Sequence, residues 1–422
     1  MNNSLLKRVI ADHREELESI RTTDYVQRAK FEYMRTLLDE KIVKVISGPR
    51  RSGKSIFCHQ LLKDKNYAYI NFDDERLIAA KAEDLDQIYS ELLVEYSDPD
   101  YFLFDEIQNI AGWELFINRL NRNSVNVIIT GSNSKMLSKE LATHLTGRHF
   151  QIEIFPFSFA EFLLARGVKV DLSKSLSTKS IAGLRSYLNE YIVYGGFPEI
   201  KNIKLQKLYL RELFEKIILK DIVERYNIRE IQVIKELAVL MLNYYSSQFT
   251  YNKMCNLLNC KSVNTVKDYA GYLEDTYLMF YVNKQSFKIQ EEIRSPRKIY
   301  SIDTGMINAL STSMSPNTGK KLENLVFLAE RRKGKRINYY SDDSCEVDFV
   351  SYSENNEITL IQVAQDISDT NTYNREVKAL THTAKKLLPH SMIIITENTD
   401  DTLNIDGNII NILPIWKYLL TE

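Results

Sequence analysis

A chain of 422 residues is long for one hydrophobic core and on size alone divides into about two to four domains. Its hydrophobic fraction of 44% is that of a folded globular protein and excludes an intrinsically disordered chain. With 55 Lys and Arg against 56 Asp and Glu, the formal charge is −1, which excludes a whole-molecule attraction to nucleic acid or anionic membrane.

Residues 1–40 read as a charged helical segment without a functional signature. This start is too charged for a secretory signal, and no apolar run in the chain is long enough to span a bilayer. Four scattered cysteines, Cys58, Cys255, Cys260 and Cys345, complete no zinc pattern. Free thiols in a reducing cytosol are the expectation, and with them a cytoplasmic protein that makes no membrane contact.

Residues 41–47 (KIVKVIS) read as a buried strand and 55–63 (SIFCHQLLK) as a helix. Between them stand Gly48, Pro49, Arg50, Arg51, Ser52, Gly53, Lys54 and Ser55, a complete G-x-x-x-x-G-K-[ST]. The glycines let the backbone curl so that its N–H groups face a phosphate chain. Lys54 adds a charge for the β- and γ-phosphates, and Ser55 offers a hydroxyl to Mg²⁺. From Ser55 and Ile56 onward the helix presents its positive dipole end to the anion.

About fifty residues downstream, 101–106 (YFLFDE) is an apolar run ending in two carboxylates. A fully buried parallel strand has no polar face and reads this way. At its carboxyl end Asp105 can hold Mg²⁺, and Glu106 can orient or deprotonate an attacking water. A third strand, 125–133 (VNVIITGSN), brings Thr130, Ser132 or Asn133 toward the γ-phosphate. Arg148 follows it, placed to stabilise transition-state charge in its own subunit or a neighbouring copy. The order of these pieces predicts a nucleoside triphosphate with Mg²⁺ as the ligand. A GTPase is disfavoured by the lack of an Asn-Lys-x-Asp element, and a small-molecule kinase by the Asp105–Glu106 pair and the long C-terminal half.

After Phe155 the pattern turns helical. Residues 155–159 (FPFSF) open a helix over 160–165, 171–180 reads as a loop, and helices follow at 181–193 and 208–226. Paired Gly195 and Gly196 predict positive φ or close backbone contact. Residues 230–302 outline a winged helix-turn-helix. Ser262 caps its third helix, Val263, Val266, Ala270, Leu273 and Tyr277 form the apolar face, and strands at 278–282 and 298–302 form the wing. Lys261, Asn264 and Lys267 offer DNA contacts, with Asp268, Glu274 and Asp275 opposing them.

The last stretch reads as helix, hairpin, strand, helix, strand, the outline of a restriction-endonuclease-like α/β core. Glu323 and Asp348 can supply oxygen ligands, but Gln362 and Ala364 stand where a carboxylate and a lysine belong. The shape is expected to persist without the chemistry. The basic run 331–336 (RRKGKR) is read either as a track for phosphates or as a solvated loop.

The motifs GPRRSGKS (48–55), YFLFDEIQNI (101–110), ITGSNS (129–134), LTGRH (145–149), FPFSFAEFL (155–163), YGGFP (194–198), LKDIVERY (219–226), EVDFV (346–350) and IQVAQDIS (361–368) occur in order. In this set the chain resembles archaeal- and bacterial-type AAA-like ATPases whose C-terminal half combines a winged helix with a restriction-endonuclease-like fold. The resemblance implies an α/β chain: N-terminal helical segment 1–40, P-loop NTPase core with a parallel sheet 41–155, helical lid 156–229, winged helix 230–302 and a catalytically inactive endonuclease-like domain 303–422. It implies ATP binding and hydrolysis, with Lys54, Ser55, Asp105 and Glu106 as nucleotide and metal residues and Arg148 as a further candidate. Coupling of nucleotide state to the C-terminal domains is the expected function. DNA and a second copy of the chain are the partners considered. A regulatory switch without nucleic acid is the main alternative, and an ATP-dependent nuclease the remoter one.

Overall fold

The structure, a computed structural model, describes residues 2–133, 149–311, 317–405 and 407–422. It divides into two compact units, Met1–Pro156 with Asp275–Tyr277, and Phe157–Glu274 with Leu278–Glu422.

The first unit is built on five strands: β1 (Val43–Ser47), β2 (Tyr67–Asn71), β3 (Tyr101–Asp105), β4 (Asn126–Gly131) and β5 (His149–Glu153). All pair in parallel in the order β2-β3-β4-β1-β5. Strands β1, β3 and β4 are buried at every residue, as their unbroken apolar runs require when helices cover both faces. On one face Phe102, Phe104, Val127 and Ile129 pack with Trp113 and with Leu6, Val9 and Ile10 of the helix Asn3–Thr22. On the other, Ile46, Leu103 and Ile128 meet Phe57 and Leu61 of the helix Lys54–Leu61. The N-terminal helix is thus part of this core; its Leu, Val and Ile spacing was hidden among charged neighbours.

His59 sits inside this second layer, its Nδ1 3.1 Å from the Tyr67 hydroxyl and its ring edge-on to Tyr69 at 4.7 Å. Burial, reinforced by the charge of Arg21, lowers the imidazole from 6.5 to about 3. The unfolded chain therefore binds the proton first. Stability contributed by neutral His59 is full above pH 6.5 and is lost as the pH falls toward 3, by at most about 1.4 kcal/mol per pH unit. Thermal melts across that window should show the decline, and His59→Gln should flatten it.

The second unit opens with the helix Phe159–Ala165, started by a reciprocal cap: Glu161 N–H donates to Ser158 Oγ (3.2 Å) and Ser158 N–H to Glu161 Oε2 (3.0 Å). Helices Thr178–Tyr194 and Gln206–Lys216 follow, and the latter continues as π-helical turns over Ile217–Glu224 where a single α-helix was expected. Between them Gly195 adopts φ 80°, and a Cβ there would lie 1.9 Å from Asp303 Oδ1. The Asp303 carboxylate accepts from Gly196 N–H at 2.7 Å, an approach only a bare backbone allows.

Helices Ile231–Asn243, Tyr251–Leu257 and Val263–Asp275 accompany a three-stranded antiparallel sheet whose first strand falls between the first two of them. Its order is β6 (Ser247–Phe249), β8 (Arg297–Ser301), β7 (Met279–Val282). The short β6, with its Ser-Gln start, carries too little pattern to be read from sequence. On Val263–Asp275 the residues Val266, Ala270 and Leu273 are buried as expected, but Val263 is 37% exposed; at the first turn the helix has not yet reached its core.

The remaining strands form a six-stranded sheet. They are β9 (Arg336–Ser341), β10 (Glu346–Tyr352), β11 (Ile358–Val363), β12 (Ser391–Thr396), β13 (Asp401–Ile405) and β14 (Asn408–Pro414). The order is β13-β14-β12-β11-β10-β9, with helices Thr318–Arg332 and Thr370–Leu387 beside it. The basic run 331–336 turns inward. Arg332 Nη1 lies 3.3 Å from Glu422, Lys333 and Lys335 lie 3.3 and 3.5 Å from buried Glu330, and Arg336 stacks on Tyr352 at 3.8 Å. Part of its charge is thus paired within the unit, while Arg336 itself is exposed. No helix among the described residues is long and apolar enough to cross a membrane.

Candidate functional site

The sheet order decides which loops meet. Because β4 lies between β1 and β3, the loop after β1 and the acidic end of β3 converge on the end of β4. The loop 48–55 needs left-handed backbone to curl: Gly48 has φ 146°, Arg51 65° and Gly53 91°. A Cβ on Gly48 would stand 2.1 Å from the Ile154 carbonyl oxygen, so a larger residue cannot pass there. The helix starts at Lys54, directly after Gly53, leaving its first N–H groups facing the loop.

The side chains around this loop are wired together. Lys54 Nζ is buried, donates to the Pro49 carbonyl at 3.1 Å and lies 3.5 Å from Glu106 Oε1. The Ser55 hydroxyl bonds the Asp105 carboxylate. Thr130 Oγ1 donates to Asp105 Oδ1 and accepts the Glu106 backbone N–H at 3.0 Å. The Tyr69 hydroxyl reaches Asp105 Oδ2 at 3.4 Å. Burial above all, and then the charge of Glu106, raises the Asp105 carboxyl above its usual value, while Thr130, Ser55 and Lys54 pull it back. A divalent cation at this point would hold Asp105 ionised. Glu106 adopts φ 51°, a left-handed conformation uncommon outside glycine, and its Oε2 accepts from the Gln108 amide.

These residues fit a Mg²⁺–nucleotide. The hydroxyls of Ser52 and Ser132 are buried without a hydrogen-bond partner among the described residues, one on the loop and one just past β4. Glycine-built curvature, a helix N-terminus, an ammonium and a Ser–Asp oxygen pair are the donor set such a ligand requires. Arg50 is drawn aside to Asp73 at 3.1 Å, and Arg51 is exposed. Ile56 is half-buried in the helix. Arg148 lies outside the described residues.

Sequence reasoning did not foresee Arg28. Its guanidinium donates to the Ser52 carbonyl at 2.8 Å and to the Phe155 carbonyl, holding the loop from behind. Tyr69 and Gln108 were missed as well. Arg28 and Tyr69 lie outside every motif and only the fold brings them here, while Gln108 lies within YFLFDEIQNI, two residues from Glu106.

In the second unit Glu323, Asp348 and Gln362 do converge, but the cation among them is Lys298 from β8. Ala364 is buried and offers only a methyl group.

Residues 40–163 match the family model of an AAA domain, and 185–318 match a domain of unknown function, DUF8612. Among solved structures, the Walker-type ATPase PABY2304 of Pyrococcus abyssi is similar at 13% identity and a TM-score of 0.44, covering 68% of this chain and 96% of that one. An uncharacterized protein of Haemophilus influenzae is 30% identical over 90% of this chain and 95% of its own length. The uncharacterized protein MJ1544 of Methanocaldococcus jannaschii is 40% identical over 90% of this chain and 88% of its own length. With its AAA domain at 40–163, the chain belongs to the same family as MJ1544.

Proposed function

We propose that the protein binds and hydrolyses ATP and that nucleotide state governs what its second unit does. The observation that carries this reading is the convergence of Lys54, Ser55, Asp105, Glu106 and Thr130 behind a left-handed glycine loop. In the proposed mechanism the N–H groups of 48–55 and the start of the helix cradle the phosphates, and Lys54 bridges the β- and γ-oxygens. Ser55 and Asp105 would hold Mg²⁺, which neutralises charge developing on the transferred phosphoryl group. Glu106 orients the attacking water, and Ser132 contacts the γ-phosphate. Arg148 acting from a second copy would make specific activity rise with protein concentration.

Calorimetry with ATP–Mg²⁺ tests the reading. Saturable uptake below millimolar ligand supports it, and no uptake by folded protein at millimolar ligand ends it.

Read as a winged helix, the segment Ile231–Ser301 offers DNA as one output, because Asn264 and Lys267 are exposed on the helix Val263–Asp275 and Lys261 is exposed just before it. Asp268 is exposed among them, so the contact should be weak and salt-sensitive. Gel shifts should show affinity that drops steeply with salt, with a log–log slope of about −0.9 per phosphate contacted, and that changes with bound nucleotide. Absence of binding at low salt assigns the output to a protein partner instead.

A further inference from the structure

Lys298 lies in the middle of β8, paired to Gln248 on one side and Val282 on the other, and its side chain is almost wholly buried. Its Nζ stands 2.7 Å from Glu346 Oε1, 2.8 Å from Asp348 Oδ1 and 3.1 Å from Glu323 Oε1. The ammonium donates to Glu323 and Asp348, and Glu346 adds its charge as an ion pair. The three carboxylates line a pocket of about 670 Å³, together with Gln362, Arg375 and Glu376.

Further hydrogen bonds hold the three carboxylates in place. Val363 N–H donates to Asp348 Oδ2 at 3.0 Å, the Tyr300 hydroxyl to Glu323 Oε1 at 2.7 Å, and Gln248 Nε2 to Glu346 Oε2 at 2.9 Å. Gln362 accepts the Asp348 N–H at 3.0 Å and donates to Glu376 Oε2 at 2.5 Å, while Arg375 holds the other oxygen of Glu376. Every carboxylate that lines the pocket thus has a cationic or hydrogen-bonding partner from the chain itself.

Mg²⁺ draws its oxygens to about 2.0–2.1 Å and demands near-octahedral order. Here the oxygens are spaced for the larger contact distance of an ammonium. A lysine that polarises water or meets a phosphate aims its hydrogens at the ligand, whereas Lys298 directs two of its three at Glu323 and Asp348 and meets Glu346 as an ion pair. The burial of Lys298 costs desolvation, which the charges of Asp348, Glu323 and Glu346 outweigh, so the ammonium stays protonated well above its ordinary range.

We infer that the Lys298 ammonium is the resident cation of this pocket, which therefore takes up no divalent metal and cleaves no phosphodiester bond. Its role is a clasp: one charge joins β8 to the helix Thr318–Arg332 and to β10.

Mn²⁺ titration of the nucleotide-free full chain, followed by the electron paramagnetic resonance of free ion, tests this. Wild type, Asp348→Asn and Glu346→Gln should bind the same number of Mn²⁺ ions. Lys298→Met should gain one equivalent, with an apparent Kd of about 10⁻⁴–10⁻³ M, and lose it again when Asp348→Asn is added. The inference is overturned if wild type holds an ion that either carboxylate variant loses, or if it cuts DNA or RNA with Mn²⁺ in a way Asp348→Asn abolishes. It is equally overturned if a folded Lys298→Met gains no ion. Should Lys298→Met not fold, the comparison of wild type with Glu346→Gln, whose side chain is 41% exposed, decides the matter alone.

Discussion

Lys54→Ala should cut ATP turnover by about 10²-fold or more and weaken nucleotide binding in the same protein. The ammonium is buried at the base of the loop, 3.1 Å from the Pro49 carbonyl and 3.5 Å from Glu106. In that dry setting a charge aimed at the phosphates is worth far more than at an exposed site, and alanine leaves nothing to replace it. A merely structural lysine predicts a different result: a lowered Tm with unchanged turnover per folded molecule. Phosphate-release assays beside melting curves separate the two.

Glu106→Gln should keep ATP affinity within a few-fold and lose about 10²–10⁴ in turnover. The amide preserves shape and reach, so the left-handed backbone and the Glu106 N–H bond to Thr130 survive. It cannot accept a proton. Hydrolysis at the parental rate would show that Glu106 does not position or activate the water, and would leave Asp105 as the next carboxylate to test.

The contrast between the halves explains what the sequence made legible. Gly48 to Ser55 and the run ending in Asp105 and Glu106 are contiguous, and each position has a backbone or charge requirement that few residues meet. Strands β1, β3 and β4 were readable because burial on both faces leaves an unbroken apolar run. Strand β13 carries alternating polar residues at a sheet margin, and β6 has three residues; neither pattern stands out from a loop. Arg28 sits 24 residues from Ser52 and 127 from Phe155, and Lys298 sits 50 from Asp348. Contacts at such separation have no spacing rule, so the phosphate loop was legible while its brace, and the true cation of the second pocket, were not.

One consequence of the Arg28 brace concerns mechanics. A single planar group spans two carbonyls, one inside the phosphate loop and one where the chain leaves the first unit. If the loop tightens, either Phe155 follows or one carbonyl loses its donor, at about 1–3 kcal/mol for a buried group. That sum is comparable to the coupling energies that link distant sites in proteins. The guanidinium thus acts as a crossbar that ties the loop to the outgoing backbone.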